Sequence, residues 1–227
     1  MRSLISTSVT FSEVKNQVTA SDTKFIRVLI FVNGIVPAVF ILWDWAHHQL
    51  GTNPIEFVTR TTGVLTLLFV LLTLSVTPLR KLAGLQWLGK HRRMLGLFGF
   101  FYGFLHLITY VWFDKFFDLR AMLADIATRR FILVGMASFL LMVPLAITST
   151  NKMIKRLGGK RWNRLHKLTY LVAIGGIIHY WMIVKSDIRI PVYFGLALAV
   201  LLGYRLLAKY APNTVSRKPV QSPIPRS

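Results

Sequence analysis

Six stretches of this chain, at residues 25–46, 61–78, 94–113, 131–148, 168–184 and 192–208, are apolar and almost free of charge. Each approaches the ~20 residues that a helix rising 1.5 Å per residue needs to cross ~30 Å of hydrocarbon. The bilayer core offers no water to the backbone, so such runs must satisfy their own hydrogen bonds as helices. The gaps are short and carry turn formers: "LGTNP" at 50–54, "TPLRKLAG" at 77–84 and "KRLGGKRW" at 155–162. The expected fold class is therefore all-α integral membrane, a six-transmembrane-helix bundle over residues 25–208. A polar segment, 1–24, precedes it, and a Pro/Ser/basic tail, 209–227, is expected to be disordered. No short apolar segment of the first 24 residues leads into a small-residue cleavage site, so the first run reads as a retained helix.

Composition agrees. Hydrophobic residues make up 54% of the 227, and charged residues 16%, against about 25% in a soluble domain. A net charge of +20 would suggest nucleic acid in a soluble protein. Here 21 of the 28 Lys and Arg fall at the two termini and in the second and fourth gaps. That is the pattern of membrane topology, and it places both termini and those gaps in the cytoplasm, against anionic membrane lipids. No nucleic-acid role is expected. The absence of cysteine excludes disulfides, Fe–S clusters and thiolate zinc sites.

The six histidines carry the chemistry. His47 and His48 follow the first run beside Trp43 and Trp45, and read as interfacial residues. His106 lies about twelve residues into the third run and His179 about eleven into the fifth, and both runs cross in the same direction. The two therefore share a depth. His166 and His91 share another, at the cytoplasmic starts of the same runs. A pair of neutral imidazoles from facing helices suits the two axial positions of a b-type haem. Gly96, Gly99 and Gly103 fall on one face with His106, and Gly175 and Gly176 stand one turn before His179. Both stripes are expected to clear room for a macrocycle. The same features serve tight helix packing, cross-helix hydrogen bonds or a proton relay, and the residues alone leave these open. His166 and His91 form a second candidate pair, so one or two haems are expected. Arg92, Arg93 and Arg164 are the candidate partners of the propionates.

The segments "GTNPIEFVTRTTG", "LTLSVTPLRK", "RRMLGLFGFFYGFLHLITY", "AITST" and "RWNRLHKLTYLVAIGGIIHY", in this order over about residues 50–185, resemble the MsrQ (YedZ) family of the ferric-reductase-like transmembrane superfamily. The resemblance implies a haem-binding, multi-pass subunit of the bacterial inner membrane. Such a subunit passes electrons to a periplasmic molybdopterin reductase that repairs oxidised methionines. It is an electron-transfer subunit and not the catalytic one. The family's histidine pattern falls on His106, His166 and His179, and His91 lies outside it. FMN is also associated with the family and is a further candidate cofactor, its site not assigned to particular residues. No G-x-G-x-x-G unit occurs in the chain. The expected donor is therefore a cytosolic flavin reductase, a bound flavin or a quinol. The alternatives are an electron relay to another acceptor and a histidine-based proton transporter.

Overall fold

The computed structural model describes residues 20–210, so most of the N-terminal segment and nearly all of the expected tail lie outside the described residues. Among the described residues nine α-helices follow one another: α1 (Ala20–Ala46), α2 (Pro54–Leu82), α3 (Arg92–Thr109), α4 (Leu119–Thr128), α5 (Arg130–Ile147), α6 (Asn151–Leu157), α7 (Gly159–Leu165), α8 (Leu168–Ile183) and α9 (Arg189–Tyr210). A 3₁₀ turn (Gln86–Lys90) leads into α3, and a π turn (Tyr110–Asp114) extends it.

Local chemistry explains where the apolar runs were too short a guide. α2 starts seven residues before its run, because Asn53 caps the amide of Glu56, Pro54 fills the first helical turn and Glu56 pairs with Arg60 at 2.8 Å. It ends at Ala83, where Gly84 takes a φ of +70°. Three short helices stand where only loops were expected. Asp118 caps α4 and Thr150 caps α6, and Gly158 (φ +72°) makes the sharp turn from α6 to α7.

Among the described residues five helices are long and apolar enough to cross a membrane: Asp22–Ala46, Pro54–Leu82, Arg92–Asp114, Arg130–Ile147 and Arg189–Tyr210. The fifth run forms α8, whose 16 residues extend about 24 Å. α8 packs along α5 and also touches α2 and α9. α2 is the central element, half buried, and lies against α3 for most of its length. One core cluster joins Val70, Leu74, Met142, Val172, Ala173 and Leu198; a second joins Ala38, Phe69, Phe98 and Tyr102. α1 is peripheral. It is fastened where Phe98 seats on Gly34 and Tyr102 Oη donates to the Gly34 carbonyl at 2.6 Å. Its remaining surface exposes Phe25, Val28, Phe40 and Leu42, as α9 exposes Val200 and Leu207. In a bundle with charged ends, such faces suit lipid.

The ends of the bundle differ. The segments joining α2 to α3 and α5 to α8 carry most of the basic residues, and this is the basic end. Glu56, Asp114, Asp118, Asp125 and Asp187 lie at the opposite end.

Candidate functional site: a chamber between two histidines

A chamber of about 950 Å³ opens at the opposite end, between α2, α3, α5 and α8. This is near the top of the ~300–1,000 Å³ range of ligand pockets. His106 of α3 and His179 of α8 line it together, with ring centroids 6.0 Å apart and planes at 85°. The shared depth expected from the sequence is thus a shared cavity.

Each ring is held by a neighbouring helix. His106 Nδ1 lies 2.8 Å from the Thr59 carbonyl of α2, and His179 Nδ1 lies 2.7 Å from the Phe131 carbonyl of α5. A carbonyl only accepts, so each Nδ1 carries the proton. Each Nε2 of the neutral ring is then left with a free lone pair. A glycine follows each of these carbonyls by four residues: Gly63 after Thr59, and Gly135 after Phe131. In a helix the residue four on stands over that carbonyl, on the same face. A Cβ at Gly63 would lie 3.1 Å from His106 Nδ1, and one at Gly135 would lie 2.7 Å from His179 Nδ1. The missing side chains are what admit the rings.

Those two glycines were not anticipated, and of the anticipated ones Gly96, Gly99 and Gly175 lie against neighbouring helices and not on the chamber. A Cβ at Gly96 would meet Thr73, and one at Gly99 would meet Val70. Gly175 accommodates the hydroxyl of Ser138, and Gly176 the side chain of Leu67. These are seams of close helix packing. Gly103 and Gly176 also line the chamber; Gly99 and Gly175 do not. The signal for Gly63 and Gly135 was a lone glycine inside an apolar helix, which usually has a packing reason.

At the chamber mouth stand Glu56, Arg60, Asp114, Arg129, Lys185 and Asp187, three of each sign. Asp125 ties the α4 segment down beside it. It takes Lys115 at 2.6 Å, the Tyr110 hydroxyl at 3.1 Å and Arg129 at 3.3 Å.

A second, smaller pocket of about 60 Å³ lies at the basic end, lined by Arg92, Arg93, Gly96, Trp162, His166 and Thr169, among others. Val70, Met142 and Val172 line both spaces, so one layer of apolar side chains separates them. His166 stacks on Trp162, with centroids 3.8 Å apart, and its Nε2 is 3.1 Å from the Thr148 hydroxyl. Burial, reinforced by the charge of Arg92, pushes its pKa down to about 4.

The structure does not join His91 to this pocket. His91 is buried at the head of α3, edge-on to Trp87, and its Nε2 has no partner among the described residues. Burial and then the charges of Arg27 and Lys90 lower its pKa. Arg92 and Arg93 line the small pocket and not the chamber, and exposed Arg164 lines neither. His47 is exposed and stacks on Trp43.

The chemistry of the donor set fits a haem. A nitrogen–metal bond is ~2 Å and a ring centre lies about 1 Å behind the nitrogen, so two imidazoles on one iron have centroids roughly 6 Å apart. The observed separation is 6.0 Å. Among the described residues no three His, Asp or Glu side chains gather as a bare metal site, and a macrocycle that brings its own nitrogens needs only two.

A family model described as "Ferric reductase like transmembrane component" matches residues 28–177. Among curated proteins, the chain is 52% identical over 187 residues to a protein of Herminiimonas arsenicoxydans, covering 80% of this chain and 84% of the relative. It is 44% identical over 221 residues to one of Azospira oryzae, covering 95% and 93%. It is 46% identical over 183 residues to one of Ralstonia nicotianae, covering 80% and 84%. Each is named protein-methionine-sulfoxide reductase heme-binding subunit MsrQ. No solved structure matches.

Proposed function

The chain belongs to the ferric-reductase-like transmembrane family, among its MsrQ subunits, and from that premise we propose that it is an electron-transfer subunit holding one b-type haem between His106 and His179. One observation carries the reading: both imidazoles spend Nδ1 on a backbone carbonyl and share one chamber through rings 6.0 Å apart.

A haem bound there would supply a one-electron iron centre. The chain supplies the rest. Thr59 and Phe131 fix the tautomer of each ligand and aim it, and a carbonyl partner also makes the imidazole a better donor to metal. Val70, Met142 and Val172 close the chamber towards the basic end with apolar side chains. Arg60, Arg129 and Lys185 put positive charge at the mouth, where propionates would sit. Arg92 and Arg93 lie on the far side of the apolar layer and are not assigned that role.

α8 completes six crossings despite its 16 residues, and the basic end faces the cytoplasm of a bacterial inner membrane. Electrons enter there from a reduced flavin or quinol and leave at the chamber mouth. The acceptor is a periplasmic molybdopterin subunit that reduces methionine sulfoxide. Among the described residues no second imidazole faces His166, so a single haem is the stoichiometry proposed.

The test is the visible spectrum of the purified protein, oxidised and dithionite-reduced. The expected result is one b-type component, lost in His106→Ala and in His179→Ala alike. Two components, each removed by a different one of these substitutions, would overturn the pairing.

A further inference from the structure

Arg92 opens α3 at the basic end and lines the small pocket beside His166. Its neighbour Arg93 is held by the Ser149 carbonyl at 3.2 Å and by Asn151 Oδ1 at 2.6 Å. Arg92 has no such acceptor among the described residues. The charges it feels are those of Arg205 and Arg80, both positive, and it lies near Tyr170. Arg205 reaches in from α9 and donates to the Tyr170 hydroxyl and the Leu74 carbonyl. Its Nε is buried with no partner among the described residues. Of the described Asp and Glu residues only Asp22 lies at this end, and Asp22 has interactions of its own. Cations withdrawn from water are ordinarily paired, because an unpaired one carries the full desolvation penalty. Here Arg92 and Arg93 line the pocket, Arg205 stands nearby, and no acidic side chain among the described residues lines it.

We infer that the pocket is an oxyanion site, with Arg92 as its direct ligand, and that the group it takes is a phosphate. The size fits: 60 Å³ holds about four water-sized groups at ~15 Å³ each, the oxygen count of phosphate. The chemistry fits, since a guanidinium fork binds phosphate oxygens in pairs. The depth fits as well. Arg92 is the first residue of its span, the level of the headgroups, and basic pockets between membrane helices take lipid head groups there. The phosphate can come from an anionic phospholipid or from a soluble phosphate. The inference does not depend on the haem.

Delipidated protein in neutral detergent is titrated with inorganic phosphate, and protein in nanodiscs of phosphatidylcholine is compared with protein in nanodiscs containing phosphatidylglycerol. Thermal unfolding is the readout for wild type, Arg92→Gln, Arg92→Lys and the exposed control Lys160→Gln. Phosphatidylglycerol is expected to raise the midpoint of wild type and of Lys160→Gln, with at least tenfold weaker dependence in Arg92→Gln. Stabilisation by inorganic phosphate as well, lost in the same variant, identifies a site open to soluble phosphate; its absence assigns the site to lipid. Arg92→Lys, which keeps the charge and loses the fork, should fall between, and it serves if Arg92→Gln does not fold. Equal responses of Arg92→Gln, or of Arg92→Lys in its place, and Lys160→Gln would overturn the site, as would no response in wild type.

Discussion

His179 in the chamber and His166 in the small pocket belong to one continuous segment, α8 and the turn before it, yet the two spaces prepare their histidines in opposite ways. In the chamber, Nδ1 of each ring is spent on a carbonyl and Nε2 is left open. In the pocket, Nε2 of His166 is engaged by Thr148, and one face of the ring is covered by Trp162. The chamber offers about 950 Å³ and a second imidazole; the pocket offers about 60 Å³ and two arginines. A histidine inside a bundle is therefore not a ligand by position alone. What decides is which nitrogen the neighbouring backbone consumes and how much room the other one faces.

The largest effect expected from this contrast is on haem content. His179→Ala removes one of the two imidazoles that would hold the haem and leaves His106 facing an oversized cavity; bound haem should fall by roughly tenfold or more, in line with the loss of one strong ligand. On the single-haem reading, His166→Ala should leave haem per protein within about a fifth of wild type, since Thr148 and Trp162 already engage that ring. Pyridine haemochrome assay of both variants separates the cases. A halving in His166→Ala would restore a second haem at the basic end.

A smaller effect separates the two glycines that admit the rings. A Cβ at Gly135 would stand 2.7 Å from His179, closer than real contacts allow, so Gly135→Ala must push the ring off the Phe131 carbonyl. At Gly63 the distance is 3.1 Å, and a shift of a few tenths of an ångström relieves it. Gly135→Ala should cost haem affinity several-fold and Gly63→Ala less, both measured by haem retention during gel filtration. Equal and unchanged retention would show that the carbonyl contacts do not aim the ligands. Gly99→Ala, against Val70 at 3.3 Å, reports on packing and should lower thermal stability without changing the spectrum.

These glycines also mark the limit of what could be read from the chain. Apolar run length gave five helices long enough to cross and the shorter α8, and equal depth gave the shared cavity of His106 and His179. Both follow from the 1.5 Å rise, which needs no tertiary information. The stripe Gly96, Gly99, Gly103 was visible for the same reason, but its partner surface was not. Whether a glycine faces a void, a neighbouring helix or a ligand depends on which helix lies opposite. Thr59 with Gly63 and Phe131 with Gly135 gain meaning only once α2 is against α3 and α5 against α8. The short helices α4, α6 and α7 escaped because caps such as Asp118 and Thr150 act over one turn, too little for a periodic pattern to register.

The smallest effect is on acid stability, and it bears on the nature of His166. Its pKa is pushed down to about 4 in the folded protein against ~6.5 for an unfolded chain. Between these values the unfolded state binds a proton that the folded state refuses, so stability rises with pH across this window. It is complete above about pH 6.5 and is lost as pH falls towards 4. At ~1.4 kcal/mol per pKa unit the window amounts to at most about 3 kcal/mol, and to less for a ring that keeps some contact with water. His91, whose pKa is also lowered, adds in the same direction, so the informative quantity is the difference between variants. Thermal midpoints of wild type and His166→Gln should converge as pH falls from 7 to 4.5, because the glutamine has no proton to take up. A ring committed to iron would refuse the proton as well, so convergence is expected for either role, and the haem content of the same variant is what separates them. Parallel curves would show instead that the folded ring takes up its proton as readily as the unfolded one, so that the Thr148 and Trp162 contacts do not withdraw it from water.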